Sequence, residues 1–185
     1  YATMLWRQSA KTAGRIEEYI QSMLANMAGV SMSDPSSGLL ETEFAADVAA
    51  MQRLDDTGGV TGSWSPHPET PAVWPAKLAP EQWAQLQQGL PVVACHAAPL
   101  DRNFISIHAP IFQDAAMAGV ISVLINAETV IWRCFPPLDE PLIAGMALYD
   151  GNGQAFAETA RPEAAGHLRH GSVLRAGPLF TDPER

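Results

Sequence analysis

Two histidines and two serines fall within three short apolar segments, and they are the residues of this sequence best suited to holding a ligand. They are His96, Ser106, His108 and Ser122. Successive side chains of a β-strand point to opposite faces, so Ser106 and His108 would share a face with Phe104 and leave the other face to the core. We expect the four polar side chains to converge on one sheet face. With Arg102 nearby, they would hold a small polar or anionic ligand through charge-assisted hydrogen bonds.

Each of these residues also has a purely structural explanation. A strand serine often bonds to backbone, and His108 would then be a half-exposed strand residue, so only the coincidence of the four favours a ligand site. Trp64 and Trp74 belong to the same hypothesis. The segment 62–80 contains both of them and five prolines, which predicts an ordered loop beside that face, with the tryptophans as its wall or lid. The alternative is a small hydrophobic cluster that pins the loop.

Motifs of catalysis and of cofactor binding are missing from the sequence. It contains no Gly-x-Ser-x-Gly, His-Glu-x-x-His, Gly-Lys-Ser/Thr or Cys-x-x-Cys-His motif. Gly151 and Gly153 lack the third glycine and the following helix of a dinucleotide site. His167 and His170 have no acidic or thiol partner at ligand spacing, which indicates surface histidines rather than a metal site. We therefore expect no catalytic residue, no metal and no cofactor.

The composition restricts the classes of partner. The chain has 185 residues and a net charge of −9, which repels phosphate backbones and makes nucleic-acid binding unfavourable. No apolar run approaches the roughly 18 residues that span a bilayer, and no signal peptide is recognisable. The start at Tyr1 and the polar end lead us to expect a piece cut from a longer protein. Cys95 and Cys134 are expected to be two buried free thiols.

The apolar spacing predicts three helices before the strands. Residues 3–32 form a long amphipathic helix, because apolar side chains from Ile16 to Val30 recur at steps of 4, 3, 4 and 3. A second helix is predicted from about residue 41 to 54, although helix and strand compete there, and Gly58-Gly59 either ends it or opens a hairpin. A third helix begins at Pro80 and runs to about Gly89.

The second half of the chain is predicted to form mainly strands. Apolar runs at 91–97, 104–112 and 119–125 predict three consecutive antiparallel strands, followed by a short helix over 127–134. A final hairpin is predicted with strands 145–150 and 154–159 around the turn at Gly151-Asn152-Gly153.

This order of elements resembles a family of bacterial extracytoplasmic sensor domains, the Cache and CHASE type. Two short matches carry the resemblance, Ala109-Pro110-Ile111-Phe112 and the return strand Ala118-Gly119-Val120-Ile121. The resemblance implies an α+β fold, with a long N-terminal helix and a PAS-like antiparallel sheet flanked by helices in strand order 2-1-5-4-3. That order separates Cys95 from the strand leading to Cys134, which argues against a disulfide.

The resemblance also implies an organisation and a function. Residues 1–140 would be the sensor domain, and residues 141–185 a hairpin extension or partial second subdomain. The domain would lie on the periplasmic face of the inner membrane, tethered in the full-length protein and dimeric through its first helix. It would sense a small ligand for a histidine kinase, a diguanylate cyclase or a chemoreceptor. The Tyr, Arg, Trp and Asp set of amino-acid-binding Cache proteins does not map onto this sequence, so the ligand class stays open.

Two other functions remain as alternatives. The domain could be a dimerisation or protein-interaction module without a small ligand, with Met23, Met27 and Met32 of the first helix as the partner surface. It could also be a cytosolic PAS sensor that holds a cofactor.

Overall fold

The computed structural model describes residues 2–28, 44–66, 74, 77–97, 103–135, 145–149 and 155–160. These residues fall into two compact units. The first takes those within Tyr1–Gln21 and Glu128–Arg185, and the second takes those within Ser22–Ala127. The second unit contains the main sheet and all four of the polar residues expected to converge. The domain boundary predicted at residue 140 stays a prediction.

The long first helix is confirmed. Helix α1 covers Ala2–Ala28, and residues 29–32 of the predicted helix lie outside the described residues. Its apolar stripe is buried as the spacing predicts, with Ile16, Ile20, Met23 and Met27 each at most 2% exposed. At 1.5 Å per residue, the helix is about 40 Å long.

Five antiparallel strands form the main sheet. They are β1 (Val48–Leu54), β2 (Val60–Trp64), β3 (Val92–Ala97), β4 (Asn103–Gln113) and β5 (Ala116–Asn126). Their order is β2-β1-β5-β4-β3. With helices before, between and after the strands, this is an α+β fold of the PAS-like kind, so both the fold class and the strand order are confirmed.

The helix predicted over residues 41–54 is wrong within the described residues. A single turn of 3₁₀ helix at Ala45–Asp47 leads directly into β1, a central strand between β2 and β5. Side chains on both faces of β1 are therefore buried, including Val48, Ala50, Met51 and Leu54. A strand buried on both faces does not alternate in polarity, and here its apolar residues happen to repeat at helical steps.

A tight turn joins β1 to β2. Asp55 Oδ1 accepts hydrogen bonds from the backbone N–H groups of Thr57 (2.9 Å) and Gly59 (2.7 Å) and from the Thr57 hydroxyl (2.7 Å). These bonds lower the pKa of Asp55 below its ordinary value. Gly58 takes a positive φ of 86° that closes the turn. The glycine pair therefore opens a hairpin, which was the second of the two sequence alternatives.

Two backbone features fix how β5 meets its neighbours. Asp114 and Ala115, both with positive φ, form the two-residue turn between β4 and β5 and give Gln113 and Ala116 as its closing pair. At Gly119, β5 passes so close to β1 that an added Cβ would collide with the carbonyl oxygen of Leu54. Only glycine permits that approach.

Helix α2 (Pro80–Gln87) covers one end of a sheet face. It begins with Pro80 in its first turn and with the Ala79 N–H bonded to the Gln82 side chain at 2.9 Å. Its buried Leu86 packs with residues of three different strands. These are Leu54, Val92 and Val120. The partly buried Trp83 packs against the same cluster.

The remaining elements also follow the sequence. Helix α3 covers Ala127–Cys134, and β6 (Gly145–Tyr149) pairs with β7 (Ala155–Ala160) as an antiparallel hairpin. Cys95 and Cys134 form no disulfide. The Cys134 thiol is buried and donates to the Arg15 carbonyl at 3.8 Å, but Cys95 is exposed, so the expectation of two buried thiols is wrong for Cys95. In the part of the chain described, no helix is both long and apolar enough to cross a membrane.

Candidate functional site

One face of the main sheet carries a line of polar side chains across four strands. Strand pairing places Gln52 of β1 opposite Ser122 of β5, and Ser122 opposite His108 of β4. Ser106 lies two residues before His108 on the same face. His96 of β3 lies beyond it, on that same face, because it pairs with Phe104. We call this surface, from Gln52 to His96, the polar face.

Four of these side chains form a continuous chain of hydrogen bonds. His96 Nε2 lies 2.7 Å from Ser106 Oγ, and the same oxygen lies 2.9 Å from His108 Nε2. The other nitrogen of His108, Nδ1, lies 2.7 Å from Ser122 Oγ. The convergence expected from the sequence is therefore present, and the four residues are joined directly in the order His96, Ser106, His108, Ser122.

Burial increases along this chain from the sheet edge inward. His96, on the edge strand β3, is half-buried, whereas Ser106 and Ser122 have no exposed surface and His108 is 5% exposed. Buried hydroxyl and imidazole groups are stable only when hydrogen-bonded. Each of these buried groups has such a bond. His108 is buried, so it is not the half-exposed strand residue that a purely structural role would make it.

Both imidazoles are shifted toward the neutral form. Burial, together with the positive charge that His96 can carry, lowers the pKa of His108 to about 4. Burial also lowers the pKa of His96. His108 is thus uncharged at neutral pH. The hydrogen-bond chain therefore consists of neutral donors and acceptors, and the expectation of charge-assisted hydrogen bonds stays a prediction that depends on Arg102.

Two of the other predicted site residues also lie in the sheet, on opposite faces. Phe104 is half-buried on the polar face, between His96 on one side and Asn126 on the other. Trp64 is the last residue of β2 and pairs with Met51, which places it on the opposite face from the polar one. It therefore cannot form the expected wall there. The prediction failed because the strand ends just before the first proline of the segment, Pro66, so the prolines do not disrupt it.

The remaining predicted residues are only partly placed. Trp74 is half-buried and outside any strand or helix, as expected of a loop residue. Arg102 lies outside the described residues, as do His167 and His170. Within the described ranges, no group of three or more His, Cys, Asp or Glu side chains is arranged to hold a metal ion.

Two amides on the polar face were not predicted from the sequence. Gln52 was assigned to a helix, but in the sheet it is half-buried directly opposite Ser122. Asn126, the last residue of β5, is half-buried opposite Phe104. The signal for Gln52 was present in the sequence, because a single uncharged polar residue interrupts an apolar segment there, as Ser122 does in β5.

Comparison with known proteins identifies similar folds only. No protein-family model matches the sequence, and no curated protein sequence matches it. Several solved structures do match in fold. At 13 to 19% sequence identity, these similarities establish the fold and no more.

Three of the similar structures are ligand-binding domains of chemoreceptors. That of the Pseudomonas aeruginosa PAO1 amino acid chemoreceptor PctB, in complex with L-Arg, has a TM-score of 0.57 at 19% identity, over 86% of this chain and 70% of the other. The ligand-binding domain of PctC from the same organism, in complex with GABA, has a TM-score of 0.55 at 13% sequence identity. The match covers 83% of this chain and 74% of the other. The ligand-binding domain of Pseudomonas fluorescens CtaA, in complex with L-serine, has a TM-score of 0.51 at 17% sequence identity. The match covers 88% of this chain and 73% of the other. These neighbours are sensor domains, not enzymes.

Proposed function

We propose that this chain is an extracytoplasmic ligand-sensing domain of a bacterial membrane receptor and that the polar face is part of its binding site. The observation that carries the proposal is the chain of hydrogen bonds from His96 to Ser122 inside a PAS-like sheet. A sheet face built for stability alone would be apolar there. Replacing a buried hydrogen-bonded pair with apolar groups of similar shape is often neutral or stabilising, so a buried polar chain suits a site that reads a polar ligand.

The ligand we propose is an amino acid or a closely related small amine. Similar folds hold L-Arg, L-serine and GABA in the receptors PctB, CtaA and PctC. The hydroxyls and imidazoles of the polar face are suited to hydrogen bonding with such a molecule. Arg102 and Trp74 remain proposed contributors from the segments next to β4 and α2.

Signal transmission is proposed to run through α1. In this scheme α1 is tethered to the membrane in the full-length protein, and ligand binding shifts the population of two arrangements of the helix. The receptor output, whether kinase, cyclase or chemotaxis module, and the dimer through α1 are parts of the same proposal.

The competing function, an interaction module based on the methionines of α1, has less support. Met23 and Met27 are at most 1% exposed within the chain itself, so they offer no surface to a partner. Met32 lies outside the described residues. A dimer through α1 would instead use its exposed positions, such as Lys11, Glu18 and Ala25.

A thermal-shift screen of the 185-residue chain tests the sensing function. The panel holds amino acids, other carboxylates, amines, nucleobases and divalent metals. A ligand that binds only the folded state stabilises it by about 2.7 kcal/mol at 100 times its Kd. An amino acid that raises the melting temperature supports the proposal, whereas a folded chain that none of the compounds stabilises contradicts it.

Point variants then test the location of the site. Ser106→Ala and His108→Ala should weaken binding of a ligand found in the screen, and Ser22→Ala should not. Ser22 is an exposed serine on helix α1, outside the sheet. Unchanged affinity in both polar-face variants would remove the polar face from the proposed site.

A further inference from the structure

The hydrogen-bond chain on the polar face can run in either of two directions. A neutral imidazole donates from one nitrogen and accepts at the other, and a serine hydroxyl can do both. If His108 Nδ1–H donates to Ser122, then His108 Nε2 accepts from the Ser106 hydroxyl, and Ser106 accepts from His96 Nε2–H. If Ser122 donates to His108 Nδ1, the Nε2–H of His108 donates to Ser106 and the Ser106 hydroxyl donates to His96 Nε2. All three contacts are short enough for a hydrogen bond in either direction.

The two directions present opposite chemistry at the ends of the chain. In the first, His96 carries its proton on Nε2, so its Nδ1 is an acceptor. In the second, Nδ1 carries the proton and is a donor. Among the described residues, Ser106 is the side chain that bonds to the His96 ring. The half-buried edge of the polar face can therefore meet either a donor or an acceptor of a ligand.

The polar face is uncharged. Its strand residues in the described part of the sheet are apolar or carry hydroxyls, imidazoles and the carboxamides of Gln52 and Asn126. His108 cannot readily become a counter-charge, since with a pKa of about 4 roughly one molecule in a thousand is protonated at pH 7. A ligand charge placed against these described strand residues would lose its water without gaining an opposite charge from them, which is unfavourable.

We propose that the polar face binds a side-chain carboxamide, an uncharged group that both donates and accepts hydrogen bonds, and discriminates against a carboxylate of the same shape. His96 contacts that group, while Ser106, His108 and Ser122 are positioning residues that set the proton on His96. The proposal rests on the sensing function above. The charged amino and carboxylate groups of an amino-acid ligand would then lie away from this face, and its uncharged side chain would meet it.

Isothermal titration of the 185-residue chain at pH 7.5 with two matched pairs tests the proposal. L-Gln and L-Glu have the same shape and differ in charge, and so do L-Asn and L-Asp. In at least one pair the amide should bind at least tenfold more tightly, which is about 1.4 kcal/mol. Equal affinity, tighter binding of the acid, or binding confined to other amino acids such as L-Ala or L-Arg overturns this inference but leaves the sensing function standing. A folded chain that binds no amino acid overturns both.

A variant separates positioning from a purely structural role. Ser106→Ala cuts the hydrogen-bond chain between the two imidazoles, so discrimination within the pair should fall below about threefold, while Ser22→Ala keeps it. Adding the amide ligand should also move the ¹⁵N resonances of the His96 ring in the unaltered chain, and the movement should be smaller in Ser106→Ala. If Ser106→Ala does not fold, Ser122→Ala at the other end of the chain gives the same comparison. The proposal would be overturned if the variant still bound the amide at least about tenfold more tightly than the acid. It would also be overturned if the ligand left the His96 resonances of the unaltered chain unmoved.

Discussion

Acidification should destabilise the fold through His108. Its pKa is about 4 in the folded chain and 6.5 as an ordinary histidine. Above pH 6.5 the residue is neutral in both states. Between pH 6.5 and 4 the unfolded chain binds a proton at this histidine and the folded chain does not. The free energy of unfolding therefore falls as the pH falls, and the loss is complete below pH 4.

The size of this effect follows from the shift. A difference of about 2.5 pKa units corresponds to about 3 kcal/mol, of which about 2 kcal/mol is lost between pH 7.5 and 5.0. His96, whose pKa burial also lowers, adds to the loss in the same direction. Asp55 has an ordinary pKa of 3.8 and a lower one in the folded chain. Its titration therefore affects the free energy of unfolding only below the range from pH 7.5 to 5.0.

Urea unfolding at pH 7.5 and 5.0, followed by tryptophan fluorescence, measures the difference. The comparison variant is His108→Gln, which keeps hydrogen-bonding groups but cannot be protonated in this range. The variant is expected to be less stable at pH 7.5 and to lose about 2 kcal/mol less than the unaltered chain on acidification. An equal loss in both proteins would refute the reasoning, and so would an NMR titration that places the pKa of His108 at 6 or above.

Three further predictions concern the backbone and the thiols. Gly119→Ala should lower the free energy of unfolding by at least about 2 kcal/mol in urea titrations, because its Cβ would meet the Leu54 carbonyl; an unchanged midpoint would contradict that close approach. Ala115→Gly should raise the free energy of unfolding by about 0.5 to 1 kcal/mol, since Ala115 has a φ of 64°; a destabilised variant would count against that turn. A thiol reagent should modify Cys95 rapidly and Cys134 only on unfolding, and two fast thiols by mass spectrometry would contradict the burial of Cys134.

The second half of the main sheet was predictable because its signals are local. Strands β3 to β5 are apolar runs separated by turn residues, and the polar positions within them follow simple alternation. That alternation was enough to place His96, Ser106, His108 and Ser122 together. Alternation does not show which nitrogen bonds to which oxygen, or that burial keeps the imidazoles neutral, because both depend on the neighbouring strands.

Strand β1 was not predictable from periodicity. Its position between two other strands buries both faces, and that position depends on pairing with β5, about 70 residues further along the chain. The error extended to the site, because a helix at residues 41–54 removes Gln52 from the polar face. The Asp55 to Gly59 turn was the better local evidence, since a carboxylate followed by two glycines is typical of a hairpin.

The hydrogen-bond chain also specifies how the strands align during folding. If β4 slipped by one residue against its neighbours, Ile105 and Ile107 would take the places of Ser106 and His108, and the two polar groups would enter the opposite, apolar face without partners. Such a misaligned sheet would bury several unsatisfied polar groups at once, a cost that a purely apolar face would not impose. The same four side chains that we assign to ligand recognition therefore disfavour a one-residue misalignment of β4 against β3 and β5.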